Sequence, residues 1–467
     1  MPQDATEPAS LPRARVSLLL ASLGFFLITL DILIVNVALT QISRELGGGT
    51  VGQQWVVDGY TLLFAALLLF AGNLSDRVGS KRAFSVGVAL FGLTSAACAF
   101  APTIATLIAA RAGQGVAAAL MLPSSMALIR EAFPDPARRA RALGTWAVGG
   151  AVAAAVGPLL GGILTTLDWR WVFGINIPVC AVMLLLVARI PTSPRRAMPF
   201  DWAGQILCFV ALSALIYGLI HGGSVGFGSV QVIVPLAVAV TGFVAFVAVE
   251  AGVTHPMMPL SLFRPPDMRI ALTIGFAFMV GWFGTVFLGS LFLQQHLGVP
   301  PLWAGLAFLP SALISVAGNL TSGRMTNRFG PRAPVLVGLT SMVVGLTAMT
   351  LTAPLGLPLL TAALIIPVGA GGSLAMPPTT GLVLASVAPE LAGTASAVFN
   401  TFRQVGGAVA IAVFGALIVD RERFVPGMQV SLTIAAAVLL VAALASLRIQ
   451  RRGVLTENPT NGRPLLG

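Results

Sequence analysis

The chain has 467 residues, of which 57% are hydrophobic and only 9% charged, with a mean hydropathy of +0.93. A soluble domain carries roughly 25% charged residues, so a water-soluble globular protein is excluded and an integral membrane protein is left. The net charge of +11 comes from 27 basic residues, Lys81 and otherwise arginines, against 16 acids. These bases sit in loops between apolar runs and no nucleic-acid-binding motif accompanies them, so topology accounts for them and no nucleic-acid partner is expected.

A helix needs about 20 apolar residues to cross the hydrocarbon core. The sequence predicts 14 such spans: 14–39, 52–72, 82–101, 104–128, 140–166, 171–190, 202–221, 229–250, 269–295, 302–323, 333–353, 357–385, 393–419 and 429–448. The first is expected to be a retained helix, because no small-residue cleavage site follows it. It holds Asp31 in Leu-Asp-Ile-Leu-Ile-Val-Asn-Val-Ala-Leu. A carboxylate at that depth is costly unless protonated or paired, so Asp31 is a candidate for proton or substrate binding, with Asn36 and Asn400 as polar partners. Asp58 lies one to two turns into span 2 and is either a helix-start charge near water or a gate residue. Tyr60 follows it as an aromatic candidate for a cavity wall.

Between spans 2 and 3 runs Gly72-Asn-Leu-Ser-Asp-Arg-Val-Gly-Ser-Lys-Arg82, and it has an echo in Gly323-Arg-Met-Thr-Asn-Arg-Phe-Gly-Pro-Arg332. Gly72, Gly79 and Lys81 pair with Gly323, Gly330 and Arg332, and Asp76-Arg77 with Asn327-Arg328. A polar motif repeated between membrane spans points to an internally duplicated transporter. Asp76 is expected either to cap the start of span 3 or to pair across the two halves; with Arg77, Lys81 and Arg82 it would make a breakable latch.

Span 4 carries Arg111 and Gln114 in Ala-Arg-Ala-Gly-Gln-Gly. An arginine there must be paired or reach water, and it can hold a carboxylate deprotonated until movement separates them. Span 5 contains Gly149-Gly150 and then Gly157-Pro158-Leu-Leu-Gly161-Gly162. Small residues allow close helix contact and proline softens the backbone, so a tight, bendable seam is expected. Trp169-Arg170-Trp171 is placed for interfacial anchoring. Span 8 ends on Glu250, read as interfacial. Span 13 holds Asn400, Arg403 and Gln404, with no acid nearby in sequence. Cys98, Cys180 and Cys208 are odd in number and lack CxxC spacing, and the three histidines are far apart. Neither a disulfide framework nor a metal site is expected.

Charge orients the spans. With a cytoplasmic N-terminus, 21 of the 27 basic residues fall on inside segments and four (Arg44, Arg170, Arg421, Arg423) outside. Arg111 and Arg403 fall within spans. An even number of spans then places both termini in the cytoplasm. Gly72 and Gly323 are 251 residues apart, or eight spans, where a plain duplication of six would give six. Two extra helices therefore sit between the halves. The expected layout is a tail (1–13), an N-terminal six-helix bundle (14–190), a two-helix insertion (191–268), a C-terminal six-helix bundle (269–449) and a tail (450–467). A second echo, Gly144-Thr145 with Gly393-Thr394, then Gly157 with Gly406, supports this register.

These motifs carry a resemblance. Gly72–Arg82 resembles the loop motif of the major facilitator superfamily, and Arg111-Ala-Gly-Gln-Gly115 its proton-linked helix 4 motif. Gly149–Gly162 resembles the helix 5 signature of antiporters in that superfamily. Leu30–Leu39, Trp169–Pro178 and Asn400–Gly407 are similar to the 14-helix drug/proton antiporters, the EmrB/QacA-like branch, and within it to antibiotic-resistance exporters of the methylenomycin-resistance type. The match covers the chain past residue 13.

The resemblance implies an all-α membrane protein of the major facilitator fold, with 14 helices arranged 6 + 2 + 6 as two pseudo-symmetric bundles. It implies a multi-pass transporter of the cell membrane, not an enzyme. Antibiotics or other small, often hydrophobic toxic compounds would be exported as protons enter. No cofactor beyond the proton gradient is implied, and a monomer is expected. Asp31, Asp58 and Arg111 would couple protons. Asn36, Tyr60, Gln114, Asn400, Arg403 and Gln404 are the candidate substrate-cavity residues. Span 10 has no acid and span 13 carries Arg403 without one, which suits a neutral or anionic substrate better than a polyvalent cation, with cation export through Asp31 and Asp58 as the other option. The alternative is export of an endogenous metabolite, amino acid or siderophore on the same fold.

Overall fold

The computed structural model describes residues 11–195, 200–388, 391–420 and 422–449. Residues 1–10 and 450–467, with Arg196–Pro199, Pro389, Glu390 and Arg421, lie outside the described residues, so the expected C-terminal tail is not described, while residues 11–13 of the expected N-terminal tail belong to the first helix. The described chain is helical. Thirteen helices are long and apolar enough to cross a membrane. They are α1 (Leu11–Leu46), α2 (Gly49–Val78), α3 (Ser80–Ala99), α4 (Ile104–Ala132), α5 (Pro136–Leu167), α7 (Trp202–Val225), α8 (Val230–Gly252), α9 (Pro266–His296), α10 (Pro301–Phe329), α11 (Arg332–Leu355), α12 (Pro358–Ala385), α13 (Ala392–Leu417) and α14 (Phe424–Ser446). The fourteenth, α6 (Trp171–Val187), is shorter and is interrupted at Ile175, between Trp171–Gly174 and Asn176–Val187.

Local sequence explains the helix ends. Thr103 and Thr106 form a capping box at the start of α4, and Asp135 accepts from the amide of Arg138 with Pro136 in the first turn of α5. Such caps satisfy amides that the helix itself leaves free. Prolines inside α4 (Pro123), α5 (Pro158) and α12 (Pro367, Pro377, Pro378) are tolerated where neighbouring helices cover the loosened backbone.

The packing repeats with an offset of eight helices. In the N-terminal half α1 packs on α5, α2 on α4, α3 on α4 and α3 on α6; in the C-terminal half α9 packs on α13, α10 on α12, α11 on α12 and α11 on α14. The echoed loops match in backbone. Gly79 and Gly330 both have left-handed φ, +93° and +77°, and donate to Ser75 O and Thr326 O at 3.0 and 2.9 Å. Any side chain at either position would be strained.

The halves meet along two seams, α2 with α13 and α5 with α10, and α1 also touches α9. One end of the molecule carries the arginine-rich loops and is called here the basic end. Named contacts between the halves cluster at the opposite end. Gln54 Nε2 donates to Ile411 O and Ala412 O at 3.2 and 2.8 Å, Ser290 Oγ to Asn36 O at 2.9 Å and Gln294 Nε2 to Val37 O at 3.0 Å. Toward the basic end, Gly144, Thr145 and Val148 of α5 and Gly323, Arg324 and Asn327 of α10 are exposed. The inserted pair α7–α8 lies across the α2/α13 seam: α7 packs on both helices, and Gln205 Nε2 donates to Ala66 O at 2.9 Å.

Candidate functional site

Five helices of the N-terminal half converge on one buried charge. Asp31 in α1 and Arg111 in α4 form an ion pair whose side chains are both 0% exposed. The carboxylate accepts at Oδ2 from Arg111 Nη1, and at Oδ1 from Gln114 Nε2 (3.0 Å) and Asn176 Nδ2 (2.9 Å). Arg111 also donates from Nη1 to Gln114 Oε1 (2.7 Å) and from Nε to Val56 O in α2 (2.9 Å). Ser95 in α3 accepts from Gln114 at 2.8 Å, and Cys98 Sγ donates to Gln114 Oε1 at 3.3 Å. The Tyr60 ring lies 4.5 Å and the Phe173 ring 5.7 Å from the guanidinium carbon. An ion pair out of water is tolerated only when further hydrogen bonds fill its remaining sites, and this network fills most of them.

Two candidates for the cavity wall, Tyr60 and Gln114, are therefore constituents of this network and 0% exposed. Asn36 is buried too, its Nδ2 returning to Ile32 O at 2.8 Å. The acid's partners are Gln114 and Asn176; Asn36 is bonded to its own helix and Asn400 lies in the other half. Sequence reasoning missed Asn176, Ser95 and Cys98. The one available signal was a polar residue, Asn176, inside an apolar run.

Asp58 is 0% exposed, one turn below Gln54 on the same face of α2. Its Oδ1 accepts from Thr61 Oγ1 at 3.1 Å, and its Oδ2 has no partner among the described residues. It is a buried carboxyl beside the seam, not a water-exposed helix start.

The glycines of α5 lie on two seams. A Cβ on Gly149 would come within 2.7 Å of Ser22 O and one on Gly161 within 2.6 Å of Ile34 O, both in α1; Gly157 faces Leu33. A Cβ on Gly162 would come within 2.8 Å of Pro301 O in α10, and the Pro158 carbonyl abuts Gly305 of α10. The motif thus lets α5 touch its own half on one side and the other half on the other.

The basic loop is anchored to the end of its own half and to the segment that follows it. Lys81 Nζ donates to Ile190 O at 2.6 Å, and its amide to Ser193 Oγ at 3.0 Å. Gly72 faces Pro123 of α4, Arg77 lies 4.9 Å from the Phe200 ring, and Arg82 is exposed. Gly79 occupies the N-cap position of α3 without a side-chain cap, and Asp76 makes no ion pair among the described residues.

In α13, Arg403 and Asn400 are partly open, and Arg403 Nη1 donates to Asn400 Oδ1 at 3.2 Å. Gln404 is 6% exposed with Nε2 unpartnered among the described residues. At the opposite end a cavity of about 270 Å³ is lined by Ser43, Thr50, Gln53 and Gln295, among others. Trp169 is buried and donates to Glu45 Oε2 at 2.6 Å, so only Trp171 of that pair is exposed as an anchor would be. Glu250 is likewise buried, against Asp201 and the amide of Met258. No cluster of three or more His, Cys, Asp or Glu occurs among the described residues.

The sequence model of the Major Facilitator Superfamily matches residues 21–411. The chain belongs to this superfamily. It is a multi-pass membrane transporter and not an enzyme. It is similar to the multidrug resistance protein Stp of Mycobacterium tuberculosis, 37% identical over 86% of this chain and 75% of that one. It is also similar to the methylenomycin A resistance protein of Streptomyces coelicolor, 34% identical over 93% of this chain and 92% of that one. Among solved structures it superposes on a POT family transporter in complex with 5-aminolevulinic acid, with a TM-score of 0.68 over 97% of this chain and 99% of that one. At 13% identity that likeness shows the major facilitator fold alone.

Proposed function

We propose that this transporter exports antibiotics or other small, often hydrophobic toxic compounds across the cell membrane in exchange for protons. The observation that carries the reading is the Asp31–Arg111 pair, buried where five helices of one half meet. Ionisable groups inside a membrane are expensive and mark ion or proton paths. The names of the relatives, resistance and export proteins, support the substrate class.

In this reading the basic end and both termini are cytoplasmic, as positive charge on loops favours. The halves 14–190 and 269–449 rock about the α2/α13 and α5/α10 seams, with 191–268 as an insertion, and one chain works alone without a cofactor. The opposite end is closed here by Gln54, Ser290 and Gln294. A proton from outside taken up on Asp31 cancels its charge and releases Arg111, which keeps Gln114 Oε1 and the Val56 carbonyl. The attraction between α1 and α4 falls, and the substrate leaves outward. Return of the proton to the cytoplasm restores the pair. Asp58, with its unpartnered oxygen beside the seam, is the second proton site. The glycine faces of α5 keep the protein tight against proton leak, and the Gly72–Arg82 loop latches the cytoplasmic side. The drive is ample: about 2.3 kcal/mol per charge per 100 mV, and about 1.4 kcal/mol per pH unit for each proton.

The test is a panel of antibiotics added to energised inside-out vesicles loaded with a pH-sensitive dye. Drug-dependent release of lumenal protons is expected. Export that persists unchanged after the proton gradient is collapsed would end the proposal.

A further inference from the structure

Arg403 is a second arginine in the spans, and its surroundings differ from those of Arg111. It has five N–H donors, yet among the described residues its one hydrogen bond goes to a neutral group, Asn400 Oδ1 at 3.2 Å. Its Nε is buried with no acceptor, and no carboxylate lies within ion-pair distance among the described residues. The two acids deep in the spans are already placed: Asp31 on Arg111, and Asp58 beside Thr61. A cation held partly inside the spans without a counter-charge is costly, so an anion is the ligand this position favours.

The neighbours narrow that anion. The rings of Phe399 (α13) and Phe278 (α9) lie 5.8 and 5.9 Å from the guanidinium carbon. Gly275 of α9 lies under both the Phe399 ring and the arginine stem: a Cβ there would come within 2.5 Å of Phe399 Cε2 and 3.1 Å of Arg403 Cγ. Two apolar rings beside a forked donor suit a carboxylate attached to an apolar body. Arg403, Asn400 and Phe278 are partly open rather than sealed in the core.

We propose that Arg403 is the anchor for an acidic group on the exported compound, so that the substrates include amphipathic organic carboxylates. This rests on the export reading above. An interior-negative membrane potential then assists expulsion directly, since negative charge leaves the cell.

The experiment uses the purified full chain in lipid nanodiscs and equilibrium dialysis of three matched pairs. These are benzoate and benzamide, 2-naphthoate and 2-naphthamide, and anthracene-9-carboxylate and its amide. Wild type is expected to bind at least one carboxylate roughly tenfold more tightly than its amide, the scale of one good charge-assisted contact. Arg403→Gln removes that preference while amide affinity stays within about twofold. Arg403→Lys retains part of it, and Gly275→Ala, which crowds the Phe399 ring and then the arginine stem, reduces it. The proposal is overturned if wild type binds no carboxylate better than its amide, or if Arg403→Gln keeps the preference. Should Arg403→Gln fail to fold, an unchanged preference in both Arg403→Lys and Gly275→Ala overturns it equally. Proton release with a neutral drug but no carboxylate preference would sink the anchor and leave the exporter standing. Carboxylate preference without proton release would do the reverse.

Discussion

The two six-helix halves pack their helices in the same pattern, yet they treat charge differently. In the N-terminal half, Asp31, Arg111, Gln114, Asn176 and Ser95 close a network among α1, α2, α3, α4 and α6. The C-terminal half has no ion pair in its spans among the described residues, and Arg403 there meets only an amide and two rings. Its polar side chains Ser290 and Gln294 reach instead to carbonyls of the other half. The same scaffold thus carries different polar content: one half holds a buried ion pair, the other a cation with no ion-pair partner among the described residues and two side chains that bond to the facing half.

Four single substitutions, the first also combined with a fifth, break or sharpen that contrast, from large effect to small. Arg111→Gln leaves the Asp31 carboxylate buried without its cation. The expected loss is about 3–5 kcal/mol of stability, because a broken buried pair strands the remaining charge. Combining it with Asp31→Asn is expected to recover most of that loss, while substrate-driven proton movement stays absent. Thermal unfolding of the single and double variants in detergent measures the coupling; additive losses would show that the pair is not one unit.

Gly162→Val acts at the opposite end, where a Cβ would come within 2.8 Å of Pro301 O and 3.0 Å of the Leu302 Cα. Overpacking of this kind costs about 1–3 kcal/mol, here set against closure of the α5/α10 seam. Maleimide labelling of a cysteine placed at Ser43, in the cavity at that end, is expected to rise; unchanged labelling would mean that the seam does not govern that end. Gln54→Ala removes the donor to Ile411 O and Ala412 O. It is expected to loosen the α2/α13 seam by about 1–2 kcal/mol, with a smaller rise in the same labelling. Lys81→Met deletes the bond to Ile190 O and should cost about 1 kcal/mol, with transport reduced but not lost. Complete loss of transport would give the loop a larger role than anchoring its own half.

Much of the fold was legible because membranes write simple rules into sequence. Long apolar runs marked the spans, and the Gly79/Gly330 echo marked the repeat through a backbone conformation that glycine alone adopts easily. The break in α6 at Ile175 was not legible, since Trp171–Val187 reads as one apolar run. Asp31 and Arg111 stood out because charge is rare at that depth. Their partners did not, because the side of a helix on which Gln114 or Asn176 falls depends on how α4 and α6 are rotated against α1. The hydrogen bonds between the halves at the opposite end were invisible for a different reason. Their acceptors are the carbonyls of Asn36, Val37, Ile411 and Ala412, and every residue has a carbonyl. Glu250, read from sequence as interfacial, is buried because the 255–258 segment folds back to donate an amide to it.

The central claim is that proton movement runs through Asp31. The most direct measurement is drug-dependent proton release from energised inside-out vesicles, comparing wild type with the Asp31→Asn/Arg111→Gln double variant, whose neutral amides keep the buried network uncharged. Release in wild type and none in a folded double variant is the predicted result. Equal release in both would contradict the account and move the proton site away from Asp31.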